Sequence, residues 1–208
     1  MSPTGTRLLE ALLKLSPARI FAALWSAYFV GKIGKWAGHP FANFVVAAGV
    51  TRLDGKQVRA AIKEIKSVSG GKPLIKMART SVLLAMADRA AGLSDKTQTA
   101  VVSLVESALD LGEHKGALVP ALMALKTFPM YEALRTGADM PADEDDPRPA
   151  DVVDADAEAQ AAADARRHAW ENRRNAQPKG KLEPNMQGCL LLQSLLGLQH
   201  ANTVILDR

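Results

Sequence analysis

Eight lysine and arginine residues between positions 52 and 79 have the types and spacing to bind an anion. They are Arg52, Lys56, Arg59, Lys63, Lys66, Lys72, Lys76 and Arg79. The first five are spaced by four and three residues, which places them on one face of a helix, and the last three repeat this spacing after the glycines at 70–71. Asp54 and Glu64 are the only acidic residues in this range. Because like charges at this spacing repel one another, the pattern predicts a surface that binds an anionic partner.

The other polar residues form no recognisable catalytic or metal-binding pattern. The four histidines, at positions 39, 114, 168 and 200, have no zinc-ligand spacing among themselves or with Cys189. Cys189 lies among leucines, which is typical of a small buried residue. The acidic residues at 143–146 lie in a proline-rich stretch, whereas catalytic carboxylates need a rigid scaffold. We therefore expect no catalytic residue, no metal and no cofactor, and a protein that is not an enzyme.

Two glycine motifs match phosphate-binding loops only in part. The segment 69–73 (SGGKP) has Lys66 where a P-loop has its first glycine, and Pro73 where it has Ser or Thr. The segment 31–34 (GKIG) has the G-x-x-G form of an RNA-binding loop, but no strand is predicted beside it. Helix ends explain both motifs better than a ligand does.

The elements that must carry the basic residues are helices. Apolar residues make up 48% of the chain, and alanine and leucine, which favour helices, dominate. An amphipathic helix is predicted from Asp54 to about Val68, with Val58, Ala61, Ile62 and Ile65 on its inner face. Residues 17–36 and 74–91 are predicted as further single helices. The fold class is all-α, a compact bundle of about six or seven helices, and no repeat of fixed period is recognised.

Charge divides the chain into three blocks. Residues 1–138 carry 18 cations and 9 anions, residues 139–164 carry 1 and 10, and residues 165–208 carry 7 and 3. With the prolines, this predicts a basic helical core domain at 1–138 and an acidic, Pro-rich linker at 139–150. The remainder, 151–208, is predicted to contain a charged Ala-rich helix, a second linker and a Leu-rich helix. The Leu-rich helix is expected to pack back on the core, with docking on another protein as the alternative.

The cysteine content and one apolar run indicate the compartment. A single cysteine excludes an internal disulfide framework and is typical of a reducing environment. The apolar run at 20–30 is shorter than the roughly 20 residues of a spanning helix. These features predict a cytoplasmic location.

Taken together, these features favour binding over catalysis. We expect a regulatory or adaptor protein whose basic helical face binds an acidic protein surface, as an accessory or inhibitor of a larger bacterial machine such as one for conjugation or secretion, of the kind that mobile elements encode. Two alternatives stay open. One is a DNA- or RNA-binding regulator that uses the basic helices at 52–79, which is disfavoured because no aromatic residues lie among the cations. The other is a peripheral protein that lies on a membrane surface.

Overall fold

A computed structural model describes residues 3–138 and 182–199, and the regular structure in these ranges is helical throughout. The predicted all-α fold is confirmed. The α-helices, numbered in chain order, are α1 (Pro3–Leu15), α2 (Ala18–Tyr28), α3 (Ile33–Ala37), α4 (Ala42–Val50), α5 (Gly55–Lys66), α6 (Lys72–Lys76), α7 (Ser81–Ala90), α8 (Asp95–Ala108), α9 (Leu118–Ala124), α10 (Phe128–Thr136) and α11 (Met186–Leu196). Two short 3-10 helices, Ser69–Gly71 and Lys115–Ala117, precede α6 and α9.

The described ranges hold eleven α-helices, more than the six or seven predicted, partly because two predicted helices are broken. Residues 17–36 form α2 and α3, separated by a turn in which Gly31 has a φ of +81°. Residues 74–91 fall within α6 and α7, separated by a turn in which Ala78 has a φ of +52°. Left-handed backbone ends a helix. Only the first break is marked in the sequence by a glycine.

Seven of the described helices lie in two rows. In the first row, α1 packs against α4, α4 against α7, and α7 against α11. In the second row, α3 packs against α5, and α5 against α8. Contacts of α3 with α4 and of α7 with α8 join the rows. Serial packing of each helix on its neighbour is the arrangement of a helical repeat array.

The two rows repeat with different periods. In the first row, the buried residues Thr6, Asn43 and Thr80 follow one another at intervals of 37 residues. In the second row, the buried residues of α5 recur in α8 after 40 residues, as for Val58 and Gln98. Residue types also change between equivalent positions. The sequence therefore contains no single period, which is why the repeat was not recognised from it.

Local sequence explains why α5 begins and packs as it does. The Asp54 side chain accepts a hydrogen bond from the backbone N–H of Gln57, and the Gln57 side chain accepts one from the backbone N–H of Asp54. This reciprocal pair is a capping box, which satisfies amide groups that a helix N-terminus leaves unpaired. The predicted inner face, Val58, Ala61, Ile62 and Ile65, is buried. The prediction for this helix is confirmed.

The Leu-rich helix α11 packs against α7 and α9. Its leucines Leu191 and Leu195 are buried, and Gly188 lies so close to α9 that a Cβ atom there would collide with the carbonyl oxygen of Leu122. Asn185 caps the helix by accepting hydrogen bonds from the N–H groups of residues 187 and 188. Apolar burial and close backbone approach thus hold α11 at the end of the first row.

The chain divides into two compact units. The larger consists of residues 1–131 and 183–208, and the smaller of residues 132–182. In the smaller unit the described residues include the C-terminal part of α10, where Arg135 and Glu132 form an ion pair of 2.6 Å. The predicted acidic linker 139–150 and most of the predicted segment 151–208 lie outside the described residues. The three-part division of the chain therefore stays a prediction.

Candidate functional site

The eight predicted anion-binding residues lie on three elements and the loops beside them. Lys56, Arg59, Lys63 and Lys66 are on α5, whereas Arg52 precedes that helix. Lys72 and Lys76 are on α6, and Arg79 lies in the turn that follows it. Their surroundings differ, so the structure does not present them as one continuous stripe.

Arg52 joins the first two helices to the loop before α5. Its Nη1 atom donates hydrogen bonds to the backbone carbonyls of Leu13, at 2.6 Å, and Ser16, at 2.7 Å. Its guanidinium carbon lies 4.4 Å from the ring centroid of Phe21, which is the geometry of a cation–π contact. These contacts occupy the side chain within the fold, so its role in the described structure is to hold elements together.

Two cations of α5 point toward α8. The Nη1 atom of Arg59 donates to the hydroxyl of Thr97 at 2.6 Å, and the Nζ atom of Lys66 donates to the hydroxyl of Ser103 at 2.8 Å. Burial lowers the pKa of Lys66 below its usual value, because removal of water disfavours the charged form. Both partners are neutral hydroxyls. The positive charges on this flank of α5 are therefore oriented but not neutralised by them.

The three cations that follow α5 in the chain are partly buried. Lys72 forms an ion pair with Asp110 at 2.9 Å. Lys76 is half-buried, and the Nε atom of Arg79 is buried without a hydrogen-bond partner among the described residues. Lys56 and Lys63, in contrast, are exposed on the outer side of α5. Of the eight predicted residues, these two lysines are the ones most available to a ligand.

The first row presents a second surface, which sequence reasoning missed. Helix α4 is buried on most sides, yet the Phe44 ring is 48% exposed. Arg7 on α1 and Ser81 on α7 occupy the equivalent positions, 37 residues before and after Phe44. Arg7 is exposed, whereas Ser81 is half-buried. The 37-residue spacing is the signal that could have identified this surface.

Polar side chains connect consecutive helices beside Phe44. The Ser81 hydroxyl donates to Oδ1 of Asn43 at 3.0 Å, which joins α7 to α4. The Thr80 hydroxyl donates to Oε1 of Gln187 at 3.2 Å, which joins α7 to α11. Asn43 is fully buried, and its Nδ2 atom also donates to the backbone carbonyls of His39 and Pro40, so this amide holds the row together. A planar ring can stack on the exposed phenyl group of Phe44.

The described residues show neither a cluster of metal ligands nor a membrane-spanning helix. In residues 3–138 and 182–199, no three His, Cys, Asp or Glu side chains come together as metal ligands would. Within the same ranges, every helix is too short or too polar to cross a bilayer.

Comparison with known proteins identifies relatives. A family model described as "NOP9-like PUF repeat domain" matches residues 1–208. The chain is 26% identical over 151 residues to nucleolar protein 9 of Botryotinia fuckeliana, an alignment that covers 72% of this chain and 18% of that protein. It is 28% identical over 131 residues to nucleolar protein 9 of Arthroderma benhamiae and of Trichophyton verrucosum, covering 63% of this chain and 17% of each relative. The chain thus spans less than a fifth of the length of these relatives. No solved structure matches the chain.

These matches contradict the function expected from the sequence. The matching model describes a PUF repeat domain, and the relatives are eukaryotic nucleolar proteins. The prediction of an adaptor or inhibitor was therefore wrong. It had assigned the protein to a bacterial conjugation or secretion machine and to a mobile element. Charge blocks and helical composition are shared by many classes of protein. A nucleic-acid ligand was disfavoured because no aromatic residue lies among the cations. The structure instead exposes an aromatic residue, Phe44, on a different row of helices.

Proposed function

The chain belongs to the family of NOP9-like PUF repeat domains, and from this we propose that it binds single-stranded RNA and acts by binding, without catalysis. PUF repeats contact RNA with one base per helical repeat, and two or three side chains of each repeat contact that base. The RNA replaces the acidic protein expected earlier as the partner. The proposal concerns this chain alone, and not the whole of its much longer relatives.

The observation that carries the proposal is the exposed ring of Phe44 on a row of repeated helices. An apolar ring that is 48% exposed on an otherwise buried helix suits stacking on an RNA base, an interaction worth about 1–3 kcal/mol. The Ser81 hydroxyl is half-buried and donates to the fully buried Asn43, the residue before Phe44. The hydroxyl oxygen keeps a lone pair that can accept a hydrogen bond from a base edge. Arg7, at the equivalent position of α1, adds a cation on the same row.

A binding measurement with a matched aromatic control tests the proposal. Fluorescence anisotropy with a labelled single-stranded RNA pool should detect binding at about 50 mM salt, where phosphate contacts are strong. Phe44→Ala should weaken binding about five-fold or more, because the base loses its stacking partner. Tyr28→Ala removes an aromatic ring that is 58% exposed on α2, outside the row, and should leave binding unchanged. No binding by the wild-type chain, or equal losses in both variants, would refute the proposal.

The relatives are named for the nucleolus, and we include a nucleolar location in the proposal in place of a general cytoplasmic one. A fluorescent fusion of the full chain, imaged in a eukaryotic host beside a nucleolar marker, should overlap that marker. A fusion excluded from the nucleus would contradict this part of the proposal while leaving the RNA-binding measurement unaffected.

A further inference from the structure

The outer face of α5 is exposed and basic. Lys56, Ala60, Lys63 and Ser67 form its solvent-facing side, opposite the buried Val58 and Ile65. The two lysines are seven residues apart, which is about 10 Å along a helix axis. This face belongs to the second row of helices, whereas Phe44 belongs to the first.

The two acidic side chains of the same segment form hydrogen bonds within the fold. Oε2 of Glu64 accepts a hydrogen bond from the backbone N–H of Ile33 at 3.1 Å, so this carboxylate faces the start of α3. Asp54 uses its side chain to cap α5. Neither residue forms an ion pair with Lys56 or Lys63 in the described part of the chain. The charge of the two lysines therefore remains available to an external anion.

The flank toward α8 strengthens the positive potential of this face. Arg59 and Lys66 are held there by the hydroxyls of Thr97 and Ser103. A neutral hydroxyl does not cancel the charge of a cation, and the hydrogen bond restricts the movement of its side chain. The fixed cations lie three and four residues from the exposed lysines on the same helix, so their electrostatic potentials add at this face.

The position of Lys56 argues against a role in stability. It is the second residue of α5, and the positive end of the helix dipole at the N-terminus disfavours a cation there. Lys63 and Lys66 lie in the last turn, where the dipole favours them. A lysine that the fold disfavours at an exposed position suits a role in binding.

We propose that Lys56 and Lys63, supported by Lys66, bind the phosphate backbone of RNA on the second row, at a site separate from the base-contacting surface that includes Phe44. This inference rests on the proposed function. The ligand group is a phosphodiester, because the site offers cations without adjacent aromatic rings for stacking. A single strand whose bases contact the first row, or a continuation of that strand, supplies these phosphates.

The salt dependence of RNA binding tests the inference. Each phosphate contact with a single strand contributes about 0.7 to the slope of log affinity against log salt concentration. The double variant Lys56→Gln/Lys63→Gln should therefore reduce the slope by about 1.4. The matched control is Lys115→Gln/Lys126→Gln, which removes the same charge from two lysines that lie in neither row, one on the second 3-10 helix and one between α9 and α10. The control should keep the wild-type slope, and so should Phe44→Ala.

A residue-level readout complements the slopes. Lysine acetylation followed by mass spectrometry should show that RNA protects Lys56 and Lys63 in the wild-type chain, while the exposed Lys115, which lies in neither row, stays reactive. If the wild type binds RNA but the lysines of α5 are not protected, or both double variants change the slope equally, the inference is overturned and the proposed function stands. If the wild type binds no RNA, the proposed function fails and this inference fails with it.

Discussion

Arg52 and Lys56 are four residues apart and carry the same charge, yet their surroundings differ. Arg52 donates two hydrogen bonds to carbonyls at the end of α1 and lies over Phe21. Lys56 is exposed at the start of α5. Two residues with the same charge in one regular pattern thus differ in role. Arg52 stabilises the fold, whereas Lys56 is available to a ligand.

The role of Arg52 can be separated from ligand binding by a stability measurement. Arg52→Ala should lower the free energy of unfolding by about 2–3 kcal/mol, because two charged hydrogen bonds and a cation–π contact are lost. Lys56→Ala should change it by less than about 0.5 kcal/mol, as is usual for an exposed position. Urea unfolding followed by circular dichroism measures both. An Arg52→Ala variant as stable as Lys56→Ala, but deficient in RNA binding, would instead assign Arg52 to the interface.

At the scale of the element, the rows depend on close approach between helices. The junction between α9 and α11 is the clearest case, since Gly188 contacts the backbone of Leu122 with no room for a side chain. Four polar residues on α4, α7 and α11 also link the first row, through the pairs Ser81–Asn43 and Thr80–Gln187. The position of each helix therefore depends on residues that are distant in the sequence.

The α9–α11 junction predicts the effect of a single methyl group. Gly188→Ala should lower the thermal unfolding midpoint, because α11 must shift away from α9, and overpacking of this kind costs about 1–3 kcal/mol. Gly92→Ala is the matched control, since a Cβ atom at Gly92 meets no atom within 4 Å. Calorimetry should show the control at or slightly above the wild-type midpoint. Equal midpoints for the two variants would mean that α11 does not pack on α9 in solution.

At the scale of the whole molecule, the described residues present two kinds of surface on two rows of helices. The first row offers an aromatic ring with polar neighbours, and the second offers lysines without neutralising carboxylates. Residues 1–138 carry twice as many cations as anions, which attracts a polyanion over distances of about 10 Å at moderate salt. A strand of RNA matches this combination because it carries both bases and phosphates.

The sequence by itself determined the features that depend on residues close to one another along the chain. The helical class follows from composition, and α5 follows from its capping residues and its apolar period, so Asp54, Val58 and Ile65 could be assigned correctly. The basic face of α5 was also visible, because a helix fixes the relative directions of side chains three and four residues apart.

Only the tertiary structure decided which of these side chains a ligand can reach. Arg52 meets carbonyls 36 and 39 residues earlier in the chain, and Lys66 meets a hydroxyl 37 residues later. The exposure of Phe44 likewise depends on the helices that pack around α4. Burial is set by contacts between distant segments, and the unequal periods of the two rows concealed those contacts. The sequence therefore indicated the positive charge of α5, and the packing of helices left Lys56, Lys63 and Phe44 exposed.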